Sequence, residues 1–188
     1  MAVSKGSPLR LYLMQLATMQ PGDIPIPGYL IQTDDGTNIF FCLKDEKGNV
    51  FMRMLKITAG PYVFTARMEE EDAPKTCLAF RKLLPFRNKL IHARWSGEAA
   101  WIPLGDFQTG VGYENHTSHP APGELLLYPG GFSETEILFP SGAARFASKL
   151  GQLAGNHFLT IVKGDEHLRE LGQRLLWEGA MDVVFELM

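Results

Sequence analysis

Arg94 and His157 are the two side chains whose surroundings best suit chemistry. Arg94 stands beside Trp95 on a short alternating run, Lys89–Trp95. A guanidinium on the outer face of a strand can grip a carboxylate or carbonyl through paired N–H bonds. Glu98 follows four residues later, across a Ser96–Gly97 turn. It is either the ion-pair partner of Arg94 or a carboxylate able to move a proton. An exposed pair contributes only about 0–1 kcal/mol, so stability alone gives little reason for it. His157 closes the segment Gly151–Gln–Leu–Ala–Gly–Asn–His157 and is followed by the apolar run Phe158–Val162. An imidazole near its reference pKa of about 6.5 acts as acid, base or neutral donor at neutral pH. The plain alternative is a histidine satisfied by backbone at the start of a strand.

His92 alternates onto the same face as Leu90 and Arg94, while Ile91, Ala93 and Trp95 take the opposite face, read as the core side. Trp101, Tyr128, Phe132 and Phe139 offer an apolar lining for a small ligand, although filling the core is the commoner role of such residues. Glu114, His116 and His119 could supply three metal ligands. Spacing in a loop imposes no geometry, so the expectation is a solvated or ligand-facing loop, with no metal site and no cofactor. Ser141–Gly142 after Pro140 could present backbone N–H groups to an anion. Ser133 and Ser141 have no nucleophile elbow around them.

The elements that must position these residues are mostly strands. Arg53–Thr58 and Tyr62–Met68 read as a hairpin joined at Gly60–Pro61. Glu69–Asp72 places negative charge at a helix start, with Asp72 as N-cap and Pro74 in the first turn. Cys77, Phe80 and Leu84 form its buried stripe, and Pro85 ends it. Ala99–Pro103, Leu125–Tyr128, Glu136–Phe139 and His157–Val162 read as further strands. The Gln108–Gly123 loop, about 16 residues long, suggests a binding or lid role. Ser141–Leu150 has room for one or two helical turns. Asp165 caps a helix carrying Leu168, Leu171 and Leu175, Gly179 stops it, and Met181–Leu187 is the closing strand. About eight strands with two short helices predict a mainly β, closed barrel capped at its ends. An open parallel sheet would need a helix after nearly every strand.

Residues 1–50 differ in flavour. Pro21–Gly28 is rich in proline, and Tyr29–Gln32 and Ile39–Leu43 flank the turn Asp34–Asp35–Gly36, which predicts a β-hairpin. Asp45–Asn49 reads as the turn that separates this N-terminal extension from the barrel domain at 51–188. Met52 and Met54 directly before the next strand suggest an appended or alternatively started segment. Lys5, Arg10 and the run Leu11–Met19 outline a secretory signal, but Gln15 interrupts the run and no small-x-small site follows. The apolar stretch Leu9–Leu16 suggests closure against a second copy, hence a homodimer.

Of the 188 residues, 45% are hydrophobic and 11% aromatic, which suits a globular core. At a net charge of −3, nothing invites affinity built on phosphate neutralisation, so no nucleic-acid partner is expected. No stretch approaches the roughly 18 apolar residues of a membrane span. Two cysteines, with Cys77 on a helix face, fit a reducing cytoplasm.

Three segments resemble the cyclophilin-like superfamily. Asp72–Ala–Pro–Lys–Thr–Cys–Leu–Ala–Phe–Arg–Lys–Leu83 is similar to its first helix. Leu90–Ile–His–Ala–Arg94 is similar to the strand bearing its catalytic arginine, and Leu153–Ala–Gly–Asn–His157 to the loop bearing its active-site histidine. Trp95–Ser–Gly–Glu98 and Gly123–Glu–Leu–Leu–Leu–Tyr–Pro–Gly–Gly131 resemble segments of small bacterial cyclophilin-like proteins of unknown function. The resemblance spans roughly residues 52–188. It implies that Arg94 hydrogen-bonds an amide and that His157 lines the same groove. Ala99, Ile102 and Gln152 stand where the family has its aromatic, glutamine and tryptophan, so the proline pocket is stripped. The stretch from Leu9 to Phe40 resembles the opening hairpin of metallo-β-lactamase-fold lactonases. No downstream His-x-His-x-Asp-His cluster accompanies it, so no metal site is carried over.

The combined expectation is a cytoplasmic cyclophilin-like protein that binds a small molecule in a surface groove. The groove is expected to comprise His92, Arg94, Glu98, Trp101, Tyr128 and His157, with Phe139 contributing to the apolar side. Arg94, Glu98 and His157 are its candidate reactive groups. A peptidyl-prolyl isomerase and an enzyme of amide or cyclic-amide metabolism are the alternatives, the latter by fold analogy.

Overall fold

The computed structural model describes residues 10–15, 27–32, 38–42 and 53–188. The chain divides into two compact units, Met1–Phe51 and Met52–Met188. In the first, β1 (Arg10–Gln15), β2 (Pro27–Gln32) and β3 (Asn38–Cys42) form an antiparallel sheet in that order. Strands β2 and β3 pair with Gln32 opposite Asn38. The turn at Asp34–Gly36, the stretch from Pro21 to Ile26, the turn at Asp45–Asn49 and the two ends of the Leu9–Leu16 segment lie outside the described residues.

The second unit opens with β4 (Met54–Ala59) and β5 (Tyr62–Met68), whose strict alternation buries Leu55, Ile57 and Ala59 against Phe64, Ala66 and Met68. Helix α1 (Pro74–Arg81) follows, then β6 (Phe86–His92) and β7 (Gly97–Gly105). After the long loop and its two-residue β8 (His116–Thr117) come β9 (Glu124–Tyr128) and β10 (Thr135–Ala144). A small hairpin, β11 (Ala147–Ser148) and β12 (Gly151–Gln152), precedes β13 (Gly155–Lys163). Helix α2 (Leu168–Glu178) and β14 (Met181–Leu187) complete the chain. The order β5-β4-β14-β6-β7-β10-β9-β13, with β13 pairing back to β5, closes an eight-stranded antiparallel barrel. The fold is therefore mainly β, a closed barrel with two helices.

Inward side chains of every barrel strand share one core with both helices. Phe80 of α1 stacks edge-on against Phe158 at 5.0 Å and Phe185 at 5.3 Å. Cys77, beside it, is buried and donates to the Phe158 carbonyl at 3.4 Å. Burial, with smaller contributions from nearby carboxylates, pushes its thiol up to about 12. From α2, Leu168, Leu171 and Leu175 enter the same core.

A second apolar layer covers part of the outside. Ala99 (β7), Leu138 (β10), and Leu126 and Tyr128 (β9) are packed beneath Phe146 and Leu153. Gly155 makes this possible, because a Cβ there would meet both the Leu126 Cβ and the Phe146 ring at 2.8 Å.

That outer layer explains where the alternation misleads. Strand β6 ends at His92 rather than Trp95, and Leu90 points inward while Ile91 is only half-buried. Ala93 joins the outer layer and Trp95 stands 60% exposed in the turn. Apolar residues on both sides make the phase of the repeat ambiguous. Nor is Ser141–Leu150 helical: β10 continues to Ala144, and the β11–β12 hairpin follows.

Capping also differs from expectation. The N-cap of α1 is Ala73, not Asp72, and Ala73 has no side-chain hydrogen bond to offer. The Thr76 N–H is satisfied instead by the Glu114 carboxylate at 2.6 Å, contributed by the long loop. Asp165 opens a 3-10 turn after Gly164 and caps nothing with its side chain. The long loop is pinned rather than free. Buried Asn156 accepts from the Glu114 N–H at 3.1 Å and donates to the Gly112 carbonyl at 2.9 Å and the Thr76 hydroxyl at 3.0 Å.

Candidate functional site

A groove of about 300 Å³ runs along the outside of the barrel at the β6–β7 turn. Ile91, His92, Arg94, Trp95 and Ser96 form one side. Trp101, Glu136 and Leu138 form its strand wall, and Ser133, Glu134 and Ala147–Lys149 complete the rim. Its volume lies at the lower end of small-molecule sites. Trp101 and Leu138 are register partners on β7 and β10, which places both side chains on the same outward face.

Glu136 is the residue of this groove that sequence reasoning missed. It stands two residues from Leu138, opposite Pro103 of β7 and Tyr128 of β9. Although outward-facing, it is only 7% exposed, because the neighbouring strands and the outer layer crowd it. Burial first, and the nearby Glu134 charge second, push its carboxyl up to about 7. The available signal was a lone acid inside the apolar strand Glu136–Ile–Leu–Phe139. Lys149, at the tip of the β11–β12 hairpin, was likewise unforeseen.

Arg94 lies at the groove, exposed, and forms no ion pair among the described residues. Glu98 is not its partner. The Glu98 carboxylate accepts from the Ala143 N–H at 2.9 Å, and its carbonyl accepts from the Ser141 hydroxyl at 3.0 Å. Ser141 is thus tied to β7 rather than poised as a nucleophile. Glu98 lines a smaller cavity of about 100 Å³ beside α2, which His92 borders as well.

His157 is absent from both linings. Strands β6 and β13 lie four steps apart in either direction round the barrel. The His157 Nε2 stands 2.9 Å from the Thr160 hydroxyl, which in turn donates to Glu69. Arg67 also donates to Glu69, at 2.9 Å. Burial raises the Glu69 pKa, but the bonds from Thr160 and Arg67 and the nearby Arg67 and His157 charges outweigh it, so the net shift is downward. The His157 backbone is held on both sides by Asn115. The expected convergence of Arg94 and His157 therefore does not occur.

Two expected ligand contacts are structural. Phe139 points into the barrel core with 0% exposure, and Tyr128, 1% exposed, is sealed beneath Phe132 and Phe146. Of the metal candidates, Glu114 is committed to α1, and the His116 ring lies tilted against Tyr113, centroids 5.2 Å apart. Among the described residues no group of three or more such side chains is placed to hold a metal ion, and no helix is long and apolar enough to cross a membrane.

A closed antiparallel barrel with a groove of mixed charged and apolar lining on its outer wall is the class that fold and site define. Residues 55–187 match the family described as protein of unknown function (DUF3830), and the chain belongs to that family. Among solved structures, the chain is similar to McbB, described in complex with tryptophan: TM-score 0.54, 19% identity, covering 70% of this chain. The chain spans only 44% of McbB. The hypothetical protein AF2241 from Archaeoglobus fulgidus has TM-score 0.49 and 16% identity, covering 73% of this chain and 95% of that one. At these identities the likeness to McbB is one of fold. No curated protein matches.

Proposed function

We propose that the barrel unit is a cyclophilin-like, small-molecule-binding protein of the cytoplasm, with its ligand in the groove lined by Arg94 and Glu136. One observation carries this reading. A guanidinium without a protein partner among the described residues and the carboxyl of Glu136, a residue only 7% exposed, line the same concavity. Buried carboxyls are ordinarily paired or hydrogen-bonded. Trp95, Trp101, Ile91 and Leu138 give the ligand an apolar surface, and His92 and Lys149 give it further polar contacts. The isomerase and amide-enzyme readings both place His157 next to Arg94 or Glu98. His157 lines neither cavity that those residues line, so the binding reading is preferred.

A thermal-shift screen against a broad metabolite set tests this. A ligand at 100 times its Kd adds about 2.7 kcal/mol. For a chain of this size that raises Tm by about 5–10 °C. Arg94→Ala should abolish the shift while leaving the unliganded Tm within about 2 °C, since exposed substitutions change stability little. A silent library, or shifts unchanged in Arg94→Ala, overturns the assignment.

A further inference from the structure

The groove is lined by charges of both signs. Arg94 and Lys149 supply positive charge from the β6–β7 turn and the β11–β12 hairpin. Glu136 and Glu134 supply carboxyls from β10 and the segment before it. Trp101 and Leu138 form an apolar wall adjoining Glu136. We infer that this groove takes a small zwitterion of the free α-amino-acid class, its carboxylate on Arg94, its ammonium on Glu136, its apolar side chain against Trp101 and Leu138. The inference rests on the groove being the ligand site and adds the chemistry of the ligand.

A neutral or purely anionic ligand would use Arg94 but leave the groove-lining carboxyl of Glu136 unmatched. A purely cationic one would leave the guanidinium idle and meet Lys149 at the rim. A molecule carrying both groups, small enough for a groove of about 300 Å³, answers both. Other titratable groups facing the groove are Glu134, His92 and Lys149, while β9 contributes Tyr128 behind Glu136. In the free protein the Glu136 carboxyl is half-protonated near neutrality. An arriving ammonium favours its charged form, so binding releases a proton and tightens as pH rises through neutrality.

Isothermal titration calorimetry with the whole chain tests this, using L-leucine and L-phenylalanine, their N-acetyl forms and their methyl esters. The free amino acids should bind at least tenfold more tightly than either capped form. Glu136→Gln, which keeps the shape of the side chain, should bring the free and N-acetyl forms within about threefold of each other. Arg94→Ala should do the same for the free acid and its ester. Affinity should rise from pH 6 to pH 8 in the wild type and stay flat in Glu136→Gln. N-acetyl forms that bind as tightly as free amino acids overturn the inference. So does the absence of binding by all probes at millimolar concentration. If the metabolite screen still gives Arg94-dependent shifts, only the ligand class falls. If the screen is also silent, the groove reading falls with it.

Discussion

The His157 Nε2 and the Thr160 hydroxyl stand 2.9 Å apart, on one side of β13, although they are three positions apart in sequence. In a regular strand, residues an odd number apart face opposite sides. A bulge between His157 and Leu159 removes that rule here, and Phe158 and Leu159 both enter the core. The histidine is therefore committed to Thr160 and Glu69 on its own wall, away from the groove at Arg94.

This network makes a prediction about acid stability. The Glu69 pKa is net lowered on folding, so its contribution is present above the ordinary carboxylate range. It is lost as pH falls through the lowered folded value. Thr160→Val should cost about 1–2 kcal/mol at pH 7 and less at pH 3. Urea unfolding at the two pH values measures this, and an equal cost at both would remove the linkage.

Glu136 has the opposite sign. Its folded pKa is raised, by burial first, from the ordinary 4.5 to about 7. Folding therefore binds a proton between those values, and stability falls as pH rises from about 4.5 to about 7, by on the order of 3 kcal/mol. Glu136→Gln should flatten that part of the pH profile and be more stable than wild type at pH 8. A wild-type profile with no decline across this window would show that the carboxyl is not desolvated.

Asn156 joins β13, the long loop and α1 through three hydrogen bonds. Asn156→Ala leaves buried partners unsatisfied and should cost about 2–4 kcal/mol, more than one average hydrogen bond. Amide exchange should also quicken across residues 112–117, which lose their anchor. Unchanged exchange there would mean that Glu114 and β8 suffice to hold the loop.

Phe146, with Leu153, roofs the outer apolar layer over Tyr128. Phe146→Ala should cost about 3–5 kcal/mol, as for a core phenylalanine, despite its position outside the barrel. A cost under about 1 kcal/mol in chemical denaturation would show that the layer contributes little.

Elements whose apolar pattern serves a single layer were legible in the residues. Tyr62–Met68 alternates with its turn at Gly60–Pro61, and Leu168, Leu171 and Leu175 recur at helical spacing before Gly179. Such local patterns determined the barrel class, the two helices and the closing strand Met181–Leu187. Arg94, His92 and Trp101 were legible as site candidates because charge or aromaticity on or beside a strand is a local signal.

What only the tertiary structure decided is how distant segments meet. The phase of β6 depends on an outer layer built from Phe146 and Leu153, some 50 to 60 residues away. The α1 cap is Glu114, 38 residues from Thr76. Glu136 becomes a candidate only when its neighbours bury it, and His157 leaves the site because one bulge turns it toward Thr160. Periodicity reports what each segment buries. Which segments bury one another is decided by packing across the whole chain, and the solvation of a charged group follows from that.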